Sequence, residues 1–289
     1  FPPGMGLLGR LAAGPFHPRI PVLGADFAGV VDSVGAEVRD FAPGDRVVGM
    51  TGMRMGGHAE LCVVSADHCV VRVPEPIALD AALSTMFGGL TALTFLGAKA
   101  RLQAGERVLV YGASGTVGSA CVQAARLLGA HVTAVCSERT HDVVRRLGAD
   151  RLVDYRRCDV TQVDGEFDVI YDVAVKSSFS ACRHLLADDG VFISNIVGPG
   201  SLVGTIAAPL LCAFGARKKN TFAFVRPRGD DLCEVSTLIR RNAIRPVIDR
   251  VFPLEEIRAA HAYAEEARRC GKVVVALPAF ERSPTIRAA

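Results

Sequence analysis

Apolar positions along the chain follow two periods, and the change from one to the other divides it. Over residues 21–73, short β-branched and apolar runs are separated by glycines and turn residues. This predicts strands at 27–34, 46–48, 59–64 and 69–73, with a Gly-Asp turn at 44–45. From residue 79 to 100 the apolar positions fall at helical spacing. Beyond 107, β-branched runs alternate with helical stretches: strands at 108–110, 132–136, 151–155, 167–173 and 191–196, and helices at 117–128, 141–147 and 178–186. Repeated strand-helix alternation predicts a parallel sheet covered by helices on both faces. A further strand is expected at 221–225, then a helix near 232–241, a strand at 247–252, a helix at 254–269 and a strand at 272–277. The tail at 279–289 shows no period. The fold class is therefore α/β, with a β-rich part ahead of a parallel sheet.

Composition narrows the class. A length of 289 residues suits about two domains, and 50% hydrophobic with 22% charged residues describes a globular chain. The net charge is only +3, and the basic pairs Arg145-Arg146, Arg156-Arg157, Arg240-Arg241 and Arg268-Arg269 are scattered, so no nucleic-acid partner is expected. Nine cysteines occur with no CxxC spacing, mostly inside apolar stretches, as reduced core residues of a cytoplasmic protein would. The uncharged run at 190–216 is long enough to span a bilayer, but Gly198-Pro199-Gly200 and Pro209 interrupt it, so no membrane span is expected. The sequence starts at Phe1 without a signal-peptide pattern, and further sequence is expected upstream.

Residues 108–118 read Val-Leu-Val-Tyr-Gly-Ala-Ser-Gly-Thr-Val-Gly, a strand running into a glycine-rich turn and an apolar helix. Gly115 and Gly118 keep the spacing of the last two glycines in G-x-G-x-x-G, while Ala113 takes the first position. A pyrophosphate needs a tight turn, close backbone approach and free N–H groups at a helix start, and all three survive that alanine. An ordinary strand-helix turn is the alternative; the position at the first strand-helix unit of a parallel sheet favours dinucleotide binding. The second strand then decides which dinucleotide. Where an acid normally takes the adenosine ribose, this chain has Cys136, followed by Ser137, Glu138 and Arg139. A hydroxyl and a guanidinium suit a 2′-phosphate, which points to NADPH. Glu138 argues the other way, and Arg139 can also be read as a solvated loop residue.

Seven segments then appear in one order: PVLGADFAGVVDSVG at 21–35, FAPGDRVVGM at 41–50, GGHAELCVV at 56–64, GLTAL at 89–93, GERVLVYGASGTVG at 105–118, RLGADRLVDY at 146–155 and GKVVVAL at 271–277. In these the chain resembles the zinc-independent medium-chain dehydrogenase/reductases, specifically their NADPH:quinone reductase and enoyl reductase branch. The resemblance implies a GroES-like catalytic domain over 1–89, truncated at its N-terminus, a Rossmann domain over 90–226, and a return to the catalytic domain over 227–278. It places Thr91 near the nicotinamide and gives Gly112, Ala113, Ser114, Gly115, Thr116, Val117 and Gly118 the pyrophosphate. Ser137, Arg139 and Tyr155 surround the 2′-phosphate, although Tyr155 can equally be a strand-end aromatic. Val173, Ala174, Asn195 and Val197 end later strands and should face the cofactor. Lys272 matches the family's Gly-Lys, though a solvated lysine fits as well.

The departures from the family pattern bear on metal. Zinc-dependent members carry Gly-His-Glu where this chain has Gly24-Ala25-Asp26, and the four-cysteine lobe is missing. No metal site is expected, and Asp26 reads more readily as a loop-organising carboxylate than as a ligand. Without a Lewis acid, a quinone or an activated, α,β-unsaturated alkene suits the site better than an alcohol. The expected activity is hydride transfer from NADPH to such an acceptor. No catalytic residue is assigned; His58, where relatives commonly carry an aromatic residue, is a candidate proton donor and also fits as a packed histidine. The alternative function is a non-catalytic NADPH-binding protein with an RNA or protein partner. A homodimer joined through the 221–225 strand is expected from its place at the sheet edge.

Overall fold

A computed structural model describes residues 19–66, 69–194, 218–222, 229–241, 243–265 and 269–277. The N-terminal glycine-punctuated runs pair as an antiparallel sheet of β1 (Asp26–Val30), β2 (Arg46–Met50) and β3 (Val70–Arg72) in that order. The expected strand at 59–64 does not form. Leu61 and Val63 are 74% and 101% exposed, so the alternating pattern is real but finds no ladder or core to pair with among the described residues.

Helix α1 (Leu79–Ala92) begins where the helical spacing begins, but the predicted helix to 100 is not uniform. It widens into a π-helical stretch over Leu93–Lys99, where Thr94 donates its hydroxyl back to the Leu90 carbonyl and Phe95 and Leu96 are fully buried. Leu79–Lys99 is long and apolar enough to cross a membrane by length and composition. Two-thirds of it is buried inside the fold, as a core helix is. The uncharged run at 190–216 lies largely outside the described residues.

The alternating half gives six parallel strands: β4 (Arg107–Tyr111), β5 (His131–Cys136), β6 (Arg151–Asp154), β7 (Phe167–Asp172), β8 (Leu186–Ser194) and β9 (Lys219–Phe222). Their order is β6-β5-β4-β7-β8-β9, so the chain reverses direction across the sheet between β4 and β7. Period-2 alternation sends Val108 and Val110 into one core and Leu109 into the other, which is why this sheet must be covered on both sides. The first core is closed by α2 (Thr116–Leu127) and α3 (His141–Arg146). The second is closed by the short α4 (Phe179–Cys182) and the tight turn Arg183–Leu185, where a helix to 186 was expected; β8 already starts at Leu186, paired with Phe167. Residues 195 and 196 of the expected strand, and 223–225 of the strand at 221–225, lie outside the described residues.

The chain then returns. Helix α5 (Gly229–Arg240) packs on α1, and β10 (Ile248–Pro253) pairs in parallel with β11 (Lys272–Ala276), with α6 (Ile257–Glu265) against both. The helix expected over 254–269 starts with a tight turn at Leu254–Glu256, and residues 266–268 are outside the description. A third core joins Val48, Met86, Leu90, Val235, Ile239 and Val274, so the last strand is held to the first sheet by buried apolar contact. The seven described cysteines are free thiols. Burial pushes Cys62, Cys69, Cys121, Cys136, Cys182 and Cys270 upward, Cys69 to about 12 and Cys270 to about 11, so these six stay protonated.

Candidate active site

The glycine turn leaves the sheet at the β4/β7 reversal. Gly112 has φ +88°, and its N–H and that of Ala113 donate to the Val135 carbonyl at 2.9 and 3.1 Å, folding the turn back over β5. A Cβ on Gly118 would collide with the Gly112 carbonyl oxygen and stand 2.8 Å from the Ala113 Cα. Helix α2 starts at Thr116 with Gly115 as its N-cap, no side-chain cap and no acid in its first turn. Its first N–H groups are therefore left for a ligand, and the side-chain-free turn lets an anion approach the backbone; these residues fit a dinucleotide pyrophosphate. Segment 269–271 lies alongside: Gly271 donates to Ser114 O at 2.7 Å and Thr116 Oγ1 donates to Gly271 O at 3.1 Å.

Opposite the turn, β7 ends on Asp172, which is fully buried. One carboxylate oxygen accepts the N–H groups of Lys176 and Ser177, while Oδ1 has no hydrogen-bond partner. Burial raises the Asp172 carboxyl above its ordinary value, against the lowering effect of the Ser177 and Lys176 amides. These bonds fix a loop in which Val175, a β-branched residue, sits at φ +54°. The same loop brings Ala174 N–H to the Tyr111 carbonyl at 3.2 Å, against Gly112. Sequence reading put Val173 here but missed Asp172, whose only signal is a charged residue closing an apolar strand.

At the end of β5, Cys136 and Ser137 are both buried and a tight turn at Glu138–Thr140 follows. Thr140 Oγ1 donates to Ser137 O at 2.8 Å, which fixes the turn, and Glu138 and Arg139 are exposed. Glu138 is paired with Arg157, from the turn after β6, at 2.7 Å. Tyr155 is partly exposed at the end of β6, with the Arg156 guanidinium 5.7 Å from its ring centre.

A second polar cluster lies where the first sheet meets β11. The Lys272 ammonium is ion-paired with Asp26 and 5.6 Å from the Phe87 ring centre. His58 stands edge-on to His261 with ring centres 5.3 Å apart, and its Nδ1 is buried without a partner. Burial lowers the His58 imidazole below its ordinary value and His261 adds to this, while Asp26 opposes it and Lys272 lowers it further. Thr91 is buried one helical turn from Phe87, whose carbonyl takes its hydroxyl at 2.7 Å.

The structure thus brings the residues at 112–118, Val173, Ser137 and Arg139 to the carboxyl ends of β4, β5 and β7, where ligands bind in such sheets. It puts the Lys272 side chain on Asp26, one residue from the contact of Gly271 with the glycine turn. Asn195 and Val197 lie outside the described residues. Among the described residues no group of three or more His, Cys, Asp or Glu is placed to hold a metal.

Comparison with known proteins follows the two halves of the fold. A profile described as an alcohol dehydrogenase GroES-like domain matches residues 8–75, and one described as a zinc-binding dehydrogenase matches 147–275. A chloroplast quinone oxidoreductase of Triphysaria versicolor is 32% identical over 273 residues, covering 90% of this chain and 82% of that protein. The chain belongs to the medium-chain dehydrogenase/reductases, in their quinone reductase branch. A mitochondrial NAD(P)H oxidoreductase of Bos taurus is 31% identical over 290 residues, covering 90% of this chain and 73% of that protein. The solved quinone oxidoreductase of Coxiella burnetii superposes with a TM-score of 0.79 at 25% identity, over 93% of this chain and 82% of that one. As a medium-chain dehydrogenase/reductase with a GroES-like part and a Rossmann sheet, this chain is an oxidoreductase that takes a nicotinamide cofactor.

Proposed function

We propose that the protein transfers a hydride from NADPH to a quinone or to an activated, α,β-unsaturated alkene, and does so without zinc. The observation that carries the choice of cofactor is the end of β5. A buried thiol, Cys136, stands where a ribose-binding acid would be, and a hydroxyl and a guanidinium follow at Ser137 and Arg139. For zinc, Ala25 replaces the ligating histidine of the resembling zinc enzymes, and the adjacent Asp26 is engaged by Lys272.

In this reading the glycine turn and the start of α2 hold the pyrophosphate, and the Asp172-anchored loop keeps Ala174 against Gly112 on the far side. Bound NADPH would supply the hydride. The acceptor becomes an enolate or hydroquinone anion and must then take a proton, from solvent or from His58. Burial lowers the proton affinity of His58 and keeps its imidazole neutral near pH 7, which favours solvent as the source of that proton.

Titration of the protein with NADPH and NADH tests the cofactor, and NADPH oxidation over a panel of quinones and enoyl thioesters, with and without a chelator, tests the reaction. NADPH should bind more tightly, and Arg139→Ala should cost about 1.5–3 kcal/mol of NADPH binding with little change for NADH. Equal affinity for the two cofactors, or activity that tracks added zinc, contradicts the proposal. NADPH binding without turnover anywhere on the panel favours a non-catalytic cofactor-binding protein.

A further inference from the structure

Glu138 sits two residues beyond the end of β5, the strand whose end takes the adenosine ribose in dinucleotide-binding sheets. A bare carboxylate there would accept the 2′- and 3′-hydroxyls of NADH and repel the 2′-phosphate of NADPH. In the fold it is not bare. Its Oε2 takes an N–H of Arg157 at 2.7 Å, and Arg157 Nε lies 4.0 Å from Asp154, a carboxylate with only 8% of its side chain exposed. The two partners come from the carboxyl ends of adjacent parallel strands, β5 and β6, 19 residues apart in sequence. Beside them opens a cavity of about 310 Å³ whose walls include Glu138, Asp154, Arg157 and Cys158.

Stability does not account for this pair. Both side chains are mostly exposed, at 58% and 73%, and such pairs contribute little to folding. Its consequence is electrostatic. A guanidinium has five donors, and the carboxylate uses only part of them, so the pair carries no net charge and offers spare N–H groups where the lone acid would present negative charge.

We infer that Arg157 is a specificity-determining residue of the cofactor site: by holding Glu138 in an ion pair it removes the one charge at the end of β5 that would exclude a 2′-phosphate. This rests on the reading that the protein uses NADPH. Arg157 acts through Glu138, as a positioning and neutralising group.

The test is a double-mutant cycle read as dissociation constants for NADPH and NADH by fluorescence titration of the whole chain. Arg157→Ala should weaken NADPH roughly tenfold while leaving NADH unchanged or tighter, because it exposes the Glu138 charge. Arg157→Ala combined with Glu138→Gln should regain most of the lost NADPH affinity, and Arg157→Lys should retain the preference. Melting temperature should stay close to wild type throughout, since both side chains are exposed. The inference is overturned if Arg157→Ala leaves the NADPH preference intact, or if Glu138→Gln restores nothing, which would make Arg157 a direct phosphate ligand instead. Equal wild-type affinity for NADH and NADPH is a separate result: it removes the NADPH reading itself.

Discussion

The ammonium of Lys272 is ion-paired with the carboxylate of Asp26, a residue 246 positions earlier in the chain. The pair ties the last strand to the first just beside the point where Gly271 meets the glycine turn. Removing one partner leaves the other partly buried and unpaired, so Lys272→Met should destabilise the protein by about 1–3 kcal/mol. Lys272→Met with Asp26→Asn should recover part of that. Urea denaturation of these variants and of Asp26→Asn alone checks both, and strictly additive losses would show that the pair is not coupled.

Gly118 has no room for a side chain, because its Cβ would run into Gly112 O and the Ala113 backbone. Gly118→Ala must therefore push α2 away from the turn, at a cost of about 1–3 kcal/mol in stability. Cofactor binding should be lost in the same variant even where it remains folded by circular dichroism. Unchanged nicotinamide affinity would place the pyrophosphate elsewhere.

Val175 at φ +54° carries strain that the surrounding bonds, to the Asp172 carboxylate and to the Tyr111 carbonyl, sustain. Val175→Gly should relieve it and raise stability by about 1 kcal/mol, less the extra flexibility a glycine gives the unfolded chain. The measurement is the urea midpoint. A lower midpoint would mean that the valine side chain makes contacts worth more than the strain.

His58 gives the pH dependence. Burial lowers its folded-state proton affinity below the ordinary value of 6.5, so between 6.5 and the lower folded value the unfolded chain binds the extra proton. Its contribution is fully present above 6.5 and is lost as pH falls through that window. His58→Gln should therefore flatten the acid side of a stability-pH profile measured by thermal melting. A slope unchanged in this variant would assign it to another group.

Strand β9 ends the described sheet, leaving an edge that a second copy can extend. Sedimentation at micromolar concentration should show a homodimer, and Phe224→Glu should dissociate it. A clean 30.6 kDa monomer rules the dimer out.

The order of elements, the glycine turn and the cysteine at the end of β5 were determined by the sequence itself. Burial on two faces imposes the run Val108-Leu109-Val110, and the close approach of α2 to the turn demands Gly118; these constraints act on neighbouring residues and leave a local mark. The tertiary structure decided what depends on distant partners. Leu61 and Val63 alternate as strand residues should, yet form no strand, because a strand needs a neighbour that no local period encodes. Arg157 looked like half of one scattered basic pair until β6 lay beside β5 and set it on Glu138. Asp26 and Lys272, and His58 and His261, became clusters only when the returning chain packed Val274 against Val48 and Met86, for ion pairs and ring contacts are chosen by proximity in space.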